Sequence, residues 1–307
     1  FFHAEAGIPD PLWSRGLGDV YKRQVSLIQS LIELLIFKPK FVIGTGGYAS
    51  FPMLFISSLF KVPTLIQEQN SLPGISNKLL SRYADYISVA YEKMDRYFPS
   101  NKIYLTGNPI RESITKNINN SNYKKTNNIP DDILVLTVLG GSLGAERINR
   151  IIEDNIEFIN SRNVFLIWQC GSLYFENYKH FNSDFMKIID FIHDIDSVYQ
   201  ISDIIIARSG ALTLSELAVV GKPSILIPSP NVSENHQFLN AKTIEEKDAC
   251  ICIEEKDLEL IFKSKLDLLI NDENLRNELS KNISGMGLPY ASSDIVEIIK
   301  KHFNYEP

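Results

Sequence analysis

Residues 204–221, IIIARSGALTLSELAVVG, restrict what this chain can become more than any other stretch. The run Ile204, Ile205, Ile206 has the apolar, β-branched character of a buried strand, and it stops at Arg208-Ser209-Gly210. A helix is expected from Thr213, with Leu214, Leu217 and Ala218 on its core face and Gly221 ending it. A strand that passes through small residues into a helix N-terminus makes a socket for a phosphate or a ribose. The first N–H groups of a helix have no partner within it. The same letters also fit a capping box, Thr213-x-x-Glu216, in which Glu216 only closes the helix end. From this stretch alone the two readings stand level.

A second unit of the same kind lies upstream. Residues 133–139 form an apolar strand, Gly140-Gly141-Ser142-Leu143-Gly144 a glycine turn, and a helix from Ala145 carries Ile148, Ile151, Ile152 and Ile156 on one face. Such glycines let backbone N–H groups approach a diphosphate, although a GGSxG turn also occurs as a plain strand–helix connection. A weaker parallel is the strand 41–43 running into Gly44-Thr45-Gly46-Gly47. Further strands are expected at 63–66, 86–90, 103–106, 164–168, 224–227 and 250–253, alternating with helical stretches. That alternation predicts α/β units with parallel sheets and function at the strand C-termini. The expected division is a partial N-terminal unit over 25–116, an Asn- and Lys-rich linker over 117–129, a second unit over 130–288, and a C-terminal helix within 289–307 that packs back on the first unit.

At 307 residues there is room for two domains, and 44% hydrophobic with 22% charged residues is a globular composition. A net charge of −6 argues against nucleic acid as a partner. Cys170, Cys250 and Cys252 have no zinc-site spacing, and their odd number suits a reducing compartment better than a disulfide framework. The longest apolar stretch, 27–37, is too short to span a bilayer and contains Glu33. It reads as a core-facing helix, with a helix lying on a bilayer as the alternative. Residues 1–24 lack a hydrophobic period and resemble no signal peptide. Their ending, DVYKRQ, matches one reading frame of a common transposon-derived sequencing adapter. The segment is therefore expected to be non-native or disordered, a translated artefact ahead of a gene that lacks its start.

Other polar groups fit more than one role. Gln67-Glu68-Gln69-Asn70 suits a solvated loop or a sugar site; His236-Gln237 with Asn240 suits an exposed helix face or a ligand edge. His193 reads as a surface loop residue, His180 and His302 belong to no motif, and no Ser–His–Asp or metal pattern stands out.

Taken together, GTGGYASFP (44–52), QEQNSLPGISNK (67–78), TGNPIR (106–111), GGSLGAERIN (140–149), RSGALTLSEL (208–217) and NHQFLNA (235–241) resemble, in order and spacing, the MurG family of bacterial glycosyltransferases. The resemblance covers about Val25 to His302. It implies a GT-B fold: two Rossmann-like domains facing a cleft, here with the N-terminal domain incomplete. It implies transfer of N-acetylglucosamine from UDP-GlcNAc to lipid I, giving lipid II for peptidoglycan, at the cytoplasmic face of the inner membrane as a peripheral protein; no cofactor and no metal ligands are assigned, and metal dependence is left open. By the resemblance, Asn70, Arg111, Ser142, Ile192, Ala211, Leu212, Thr213, Leu214, Ser215, Glu216 and Gln237 contact the donor. Ser142 and its loop would hold the diphosphate, Glu216 both ribose hydroxyls, and Ile192 the uracil. Asn70 and Gln237 would meet the sugar, and Arg111 the departing diphosphate. Gly46, Gly47 and Tyr48 match the loop associated with the acceptor diphosphate.

There are departures. Gln67 stands where the family has His, and Leu143 where it has Gln, and both changes are expected near ligand. The family's first glycine loop, ending in the His favoured as base, has no counterpart in residues 1–24, since His3 lacks its setting; the catalytic residue is left unassigned. The full reaction would have the muramoyl 4-hydroxyl, relieved of its proton by a base, attack the anomeric carbon opposite UDP with inversion. This chain as it stands is expected to keep donor contacts and be inactive or nearly so. Two rival readings are a non-catalytic UDP-sugar-binding module and another GT-B enzyme such as a 2-epimerase, against which QEQN…PGxxN beside GGYxSxP speaks.

Overall fold

The computed structural model describes residues 17–115 and 123–304. Two all-parallel sheets organise it. The first contains β1 (Val42–Gly44), β2 (Thr64–Glu68), β3 (Tyr86–Val89) and β4 (Ile103–Leu105), in the order β1-β2-β3-β4. The second contains β5 (Leu134–Leu139), β6 (Val164–Gln169), β7 (Met186–Ile189), β8 (Ile204–Ala207), β9 (Ser224–Leu226) and β10 (Ile251–Cys252), in the order β10-β9-β8-β5-β6-β7.

A strand buried on both faces has no polar side to keep, which is why β5 reads LVLTVL and β8 reads IIIA. Alternation along each strand sends successive residues into different cores. Leu136, Val138, Ile204 and Ile206 join one cluster with Ile148 and Ile152 of the Glu146–Asp154 helix and Phe262 and Leu266 of the Leu258–Asn271 helix. Val135, Leu139, Ile205 and Ala207 join the other, with Tyr199 of the Ile195–Ile201 helix and Leu214 and Leu217 of the Ala211–Val220 helix. The single polar residue of β5, Thr137, is satisfied by the Ser202 hydroxyl at 2.6 Å.

The first sheet packs one face on Leu54, Leu80, Met94 and Phe98. On the other face Leu65 of β2 meets Ile295 and Ile298 of the C-terminal helix Ala291–His302, with Phe41, Tyr86 and Ile299 around them. The Tyr86 hydroxyl lies 2.9 Å from His302 Nδ1. The last helix therefore straps the two halves together.

Several local expectations change. The first helix spans Leu17–Phe37, so it starts inside the segment expected to stand apart; residues 1–16 lie outside the described residues. Leu27 and Leu31 of its expected apolar face are half-buried and Leu34 is buried against the Ser50–Leu59 helix, so that edge faces the core as expected, whereas Ile28 and Leu35, with Ile32 and Ile36, are exposed. Of the expected linker 117–129, residues 117–122 lie outside the described residues, and the helix Tyr123–Thr126 follows. The sequence reading passed over β7 and the Ile195–Ile201 helix, which Asp194 caps by accepting the Ser197 N–H at 3.2 Å.

Candidate functional site

In the second sheet β5 lies between β6 and β8, so the chain leaves β5 toward one side and returns to the other. Crevices of open α/β sheets form at such a switch point, outside the strand C-termini. The glycine turn after β5 and the Arg208-Ser209-Gly210 turn after β8 are thereby set side by side. Gly140 donates its N–H to the Gln169 carbonyl (2.9 Å), and Gly141 donates to Gln169 Oε1 (3.2 Å). Gly144 (φ +93°) packs so closely that a Cβ there would lie 2.3 Å from the Cys170 carbonyl oxygen. At Gly141 (φ +79°) a Cβ would meet nothing within 4 Å, and Ser142 is exposed. The loop is clamped on its inner side and open on its outer side. The following helix starts after Ala145 without a side-chain cap, which leaves its first N–H groups available.

Glu216 has a different environment from a capping box. The helix begins at Ala211 with Gly210 as N-cap, so Thr213 is already inside it and cannot cap. Glu216 Oε2 instead accepts the Tyr199 hydroxyl at 2.8 Å. Burial is the main force pushing the Glu216 carboxyl up; the Tyr199 hydrogen bond and the Arg111 guanidinium pull it down, and Asp196 adds to the rise. Burial, then the Glu216 charge, holds the Tyr199 phenol well above its ordinary range. One oxygen of the carboxylate is thus held by a buried phenol, and the other is not involved in that bond.

The rest of the expected donor set divides by burial. Leu214 and Ile192 are buried in the second core, so their side chains serve packing. Ala211, Thr213 and Ser215 are half-buried, Leu212 and Arg111 exposed. Gln237 Oε1 accepts the Ser229 N–H (2.9 Å) and its carbonyl accepts the Ser209 hydroxyl (2.8 Å), tying its helix, His236–Glu245, to the turn after β8.

Across the cleft stands the Gln67–Asn70 strip, and it is no solvated loop. Glu68, 3% exposed, accepts the N–H groups of Asn70 (3.0 Å) and Gly74 (3.1 Å) and the amides of Asn77 (2.8 Å) and Asn70 (3.3 Å). The turn that presents Asn70 is therefore wound on a buried carboxylate. Asn70 Oδ1 accepts the Asn240 amide (3.0 Å), and Asn240 Oδ1 accepts the Ser71 N–H (2.9 Å) and hydroxyl (3.1 Å). Gln67 is buried and donates to Asn108 Oδ1 at 2.7 Å, so its departure from the family pattern falls on an internal hydrogen bond and not on a ligand-facing group. Leu143 is exposed on the glycine turn. Gly46 (φ +92°) and Gly47 (φ +78°) form an open turn beside the highly exposed Tyr48, with Thr45 accepting from Gln69 Nε2 (3.4 Å). Tyr199, Glu68, Asn108 and Asn240 are the functional candidates that sequence reasoning missed or left as surface. The i, i+4 spacing of His236 and Asn240 was the one available signal. Among the described residues no group of His, Cys, Asp and Glu is placed to hold a metal.

Two parallel α/β units whose strand C-termini meet across a cleft, one with a glycine loop at its switch point, define the GT-B class. The glycosyltransferase family 28 C-terminal domain model matches residues 135–295 and the N-terminal domain model residues 6–89. The chain is 48% identical over 286 residues to the UDP-N-acetylglucosamine–N-acetylmuramyl-(pentapeptide) pyrophosphoryl-undecaprenol N-acetylglucosamine transferase of Flavobacterium psychrophilum, covering 91% of this chain and 77% of that one. Its fold is similar to crystalline MurG of Acinetobacter baumannii (TM-score 0.75, 24% identity, 94% of this chain and 82% of that one). It is also similar to UDP-GlcNAc 2-epimerase of Neisseria meningitidis bound to UDP-GlcNAc (TM-score 0.66, 15% identity, 91% and 81%). This chain belongs to glycosyltransferase family 28.

Proposed function

We propose that this protein transfers N-acetylglucosamine from UDP-GlcNAc to the muramoyl 4-hydroxyl of undecaprenyl-pyrophosphoryl-N-acetylmuramyl-pentapeptide, forming lipid II. The observation that carries the reading is the adjacency of the glycine turn after β5 and the Ala211–Val220 helix after β8, with Glu216 on that helix held by the Tyr199 hydroxyl. Ser142 and the N–H groups of its turn take the diphosphate; the free side of the Glu216 carboxylate takes the ribose. The Ile192 backbone lies beside the uracil. Asn70 and the Gln237 amide meet the sugar from opposite walls, and Arg111 steadies UDP as it leaves. The Gly46-Gly47-Tyr48 turn serves the acceptor diphosphate. The hydroxyl oxygen gives its proton to a base, which no residue here is assigned to be, and bonds to the anomeric carbon as the bond from that carbon to UDP breaks, with inversion and release of UDP.

Radiolabelled UDP-GlcNAc and lipid-linked acceptor, incubated with the purified chain, test this. Label in the lipid fraction with release of UDP bears the proposal out and overturns the sequence-based expectation that this chain is inactive. UDP binding without transfer favours a binding module, and UDP-ManNAc as product favours a 2-epimerase.

The acceptor's lipid places the work at a membrane surface. No helix among the described residues is long and apolar enough to cross a membrane. The exposed stripe Ile28, Ile32, Leu35 and Ile36, with Phe37, Lys38 and Lys40 at its end, suits the cytoplasmic face of an anionic bilayer, and the free thiols suit that compartment. Ile32→Asp with Ile36→Asp is expected to lower co-sedimentation with anionic vesicles at least fivefold; unchanged binding removes the stripe from the contact.

A further inference from the structure

Asn108 is 1% exposed and lies in the loop after β4, between Gly107 (φ +88°) and Pro109. Both neighbours fix its backbone. Gly107 abuts Leu288, where a Cβ would come within 2.6 Å of Leu288 Cβ, and the residue before a proline is confined to extended geometry. The side chain reaches into the cleft wall. Its Oδ1 accepts from Gln67 Nε2 (2.7 Å); its Nδ2 donates to the Gln69 carbonyl (3.1 Å) and to Ser215 Oγ (3.0 Å), with the Ala211 carbonyl at 3.5 Å.

The direction of every bond is determined. Two carbonyls demand a donor, so the NH2 must face Gln69 and Ala211. Ser215 gives its own proton to the Ala211 carbonyl (3.0 Å), which leaves its lone pair to receive from Asn108. Gln67 then has to donate. One buried amide therefore joins three parts: the strip that ends in Asn70, its own loop ending in Arg111, and the first turn of the helix that carries Glu216.

We propose that Asn108 is a positioning residue that sets the donor helix against the Asn70 strip, so that the halves close in one register. It touches no substrate. The proposal rests on the reading above that Asn70 and residues 211–216 are donor contacts. Aspartate is the decisive replacement: it keeps the acceptor for Gln67, removes the donor, and places an oxygen against two carbonyls and a lone pair.

The first test needs no ligand. The Ser71 N–H is bonded across the cleft to Asn240, so its hydrogen exchange reports closure. Asn108→Asp is expected to speed that exchange at least tenfold while amides of β5 and β8 stay protected. Unchanged Ser71 exchange overturns the proposal, and so does equal loss of protection throughout. The second test is kinetic: kcat falls at least tenfold while UDP affinity stays within threefold. Ser215→Ala lowers kcat too, and combined with Asn108→Asp costs little more than Asn108→Asp alone. Additive losses, or a parallel loss of UDP affinity, overturn the role. Where the unaltered chain transfers no sugar, the proposal that this chain is itself active falls, and Ser71 exchange still decides the role of Asn108.

Discussion

Glu216→Gln is expected to weaken UDP binding about 30-fold, the equivalent of ~2 kcal/mol, while leaving the protein as stable as before or more so at neutral pH. The loss follows from replacing a carboxylate, which can accept both ribose hydroxyls at full charge, with an amide that offers one neutral acceptor. The stability result follows from the titration. Burial raises the Glu216 carboxyl above its ordinary 4.5, so the folded state favours the protonated form. That contribution is full below 4.5 and is lost as pH rises through the raised value, so at neutral pH the ionised group costs stability. Glutamine removes the cost. A site kept at the expense of folding is what a ligand contact predicts and a helix cap does not.

Tyr199 refines the test. Its hydroxyl lowers the Glu216 pKa, so Tyr199→Phe should move the acid limb of UDP affinity to higher pH with binding at pH 8 changed little. Calorimetric titration with UDP and with its 2′,3′-dideoxy analogue checks both variants. Equal losses of Glu216→Gln for the two ligands, or a fall in melting temperature with affinity intact, return Glu216 to a structural role.

The sequence made the strands and glycine turns legible because each is a local signal. The apolar runs at 134–139 and 204–207 and the glycines at 140, 141 and 144 announce themselves within a few residues. Polar partnerships were less visible, since they are set by tertiary distance. Gln67, Glu68 and Asn70 look alike in a row of polar letters, yet two are buried at 3% exposure and one sits half-exposed at the cleft. β2 is buried on both faces through Glu68, and Asn70 lies in the turn after it, which is wound by hydrogen bonds to Glu68. Of the two readings of Thr213-x-x-Glu216, the capping box falls for a related reason: capping depends on where the helix starts, and it starts at Ala211 because Gly210 takes the extended N-cap conformation (φ −65°, ψ 145°). Tyr199 carried no signal at all, being one aromatic residue in a short apolar helix.

Gly144→Ala is expected to destabilise the second sheet's unit by about 4 kcal/mol, lowering its melting temperature by about 10 °C. Two costs combine. At φ +93° a side chain is strained wherever it points, and here it points at the Cys170 backbone carbonyl oxygen, 2.3 Å away, and at the Tyr174 ring, 2.6 Å from Cδ2. The backbone cannot retreat cheaply. The Cys170 carbonyl is held by the Asn149 amide (2.8 Å), and Gly171 stacks on Gly144 so tightly that its own Cβ would fall 2.1 Å from the Gly144 nitrogen. Gly141→Ala supplies the contrast. Its φ of +79° costs ~1–2 kcal/mol, but the added methyl meets only open space, the space a diphosphate would fill. That variant should stay folded and lose UDP affinity at least tenfold. Thermal melts paired with UDP titration separate the two. Equal destabilisation by both, or full UDP affinity in Gly141→Ala, would mean that the outer face of the turn is packing and holds no phosphate.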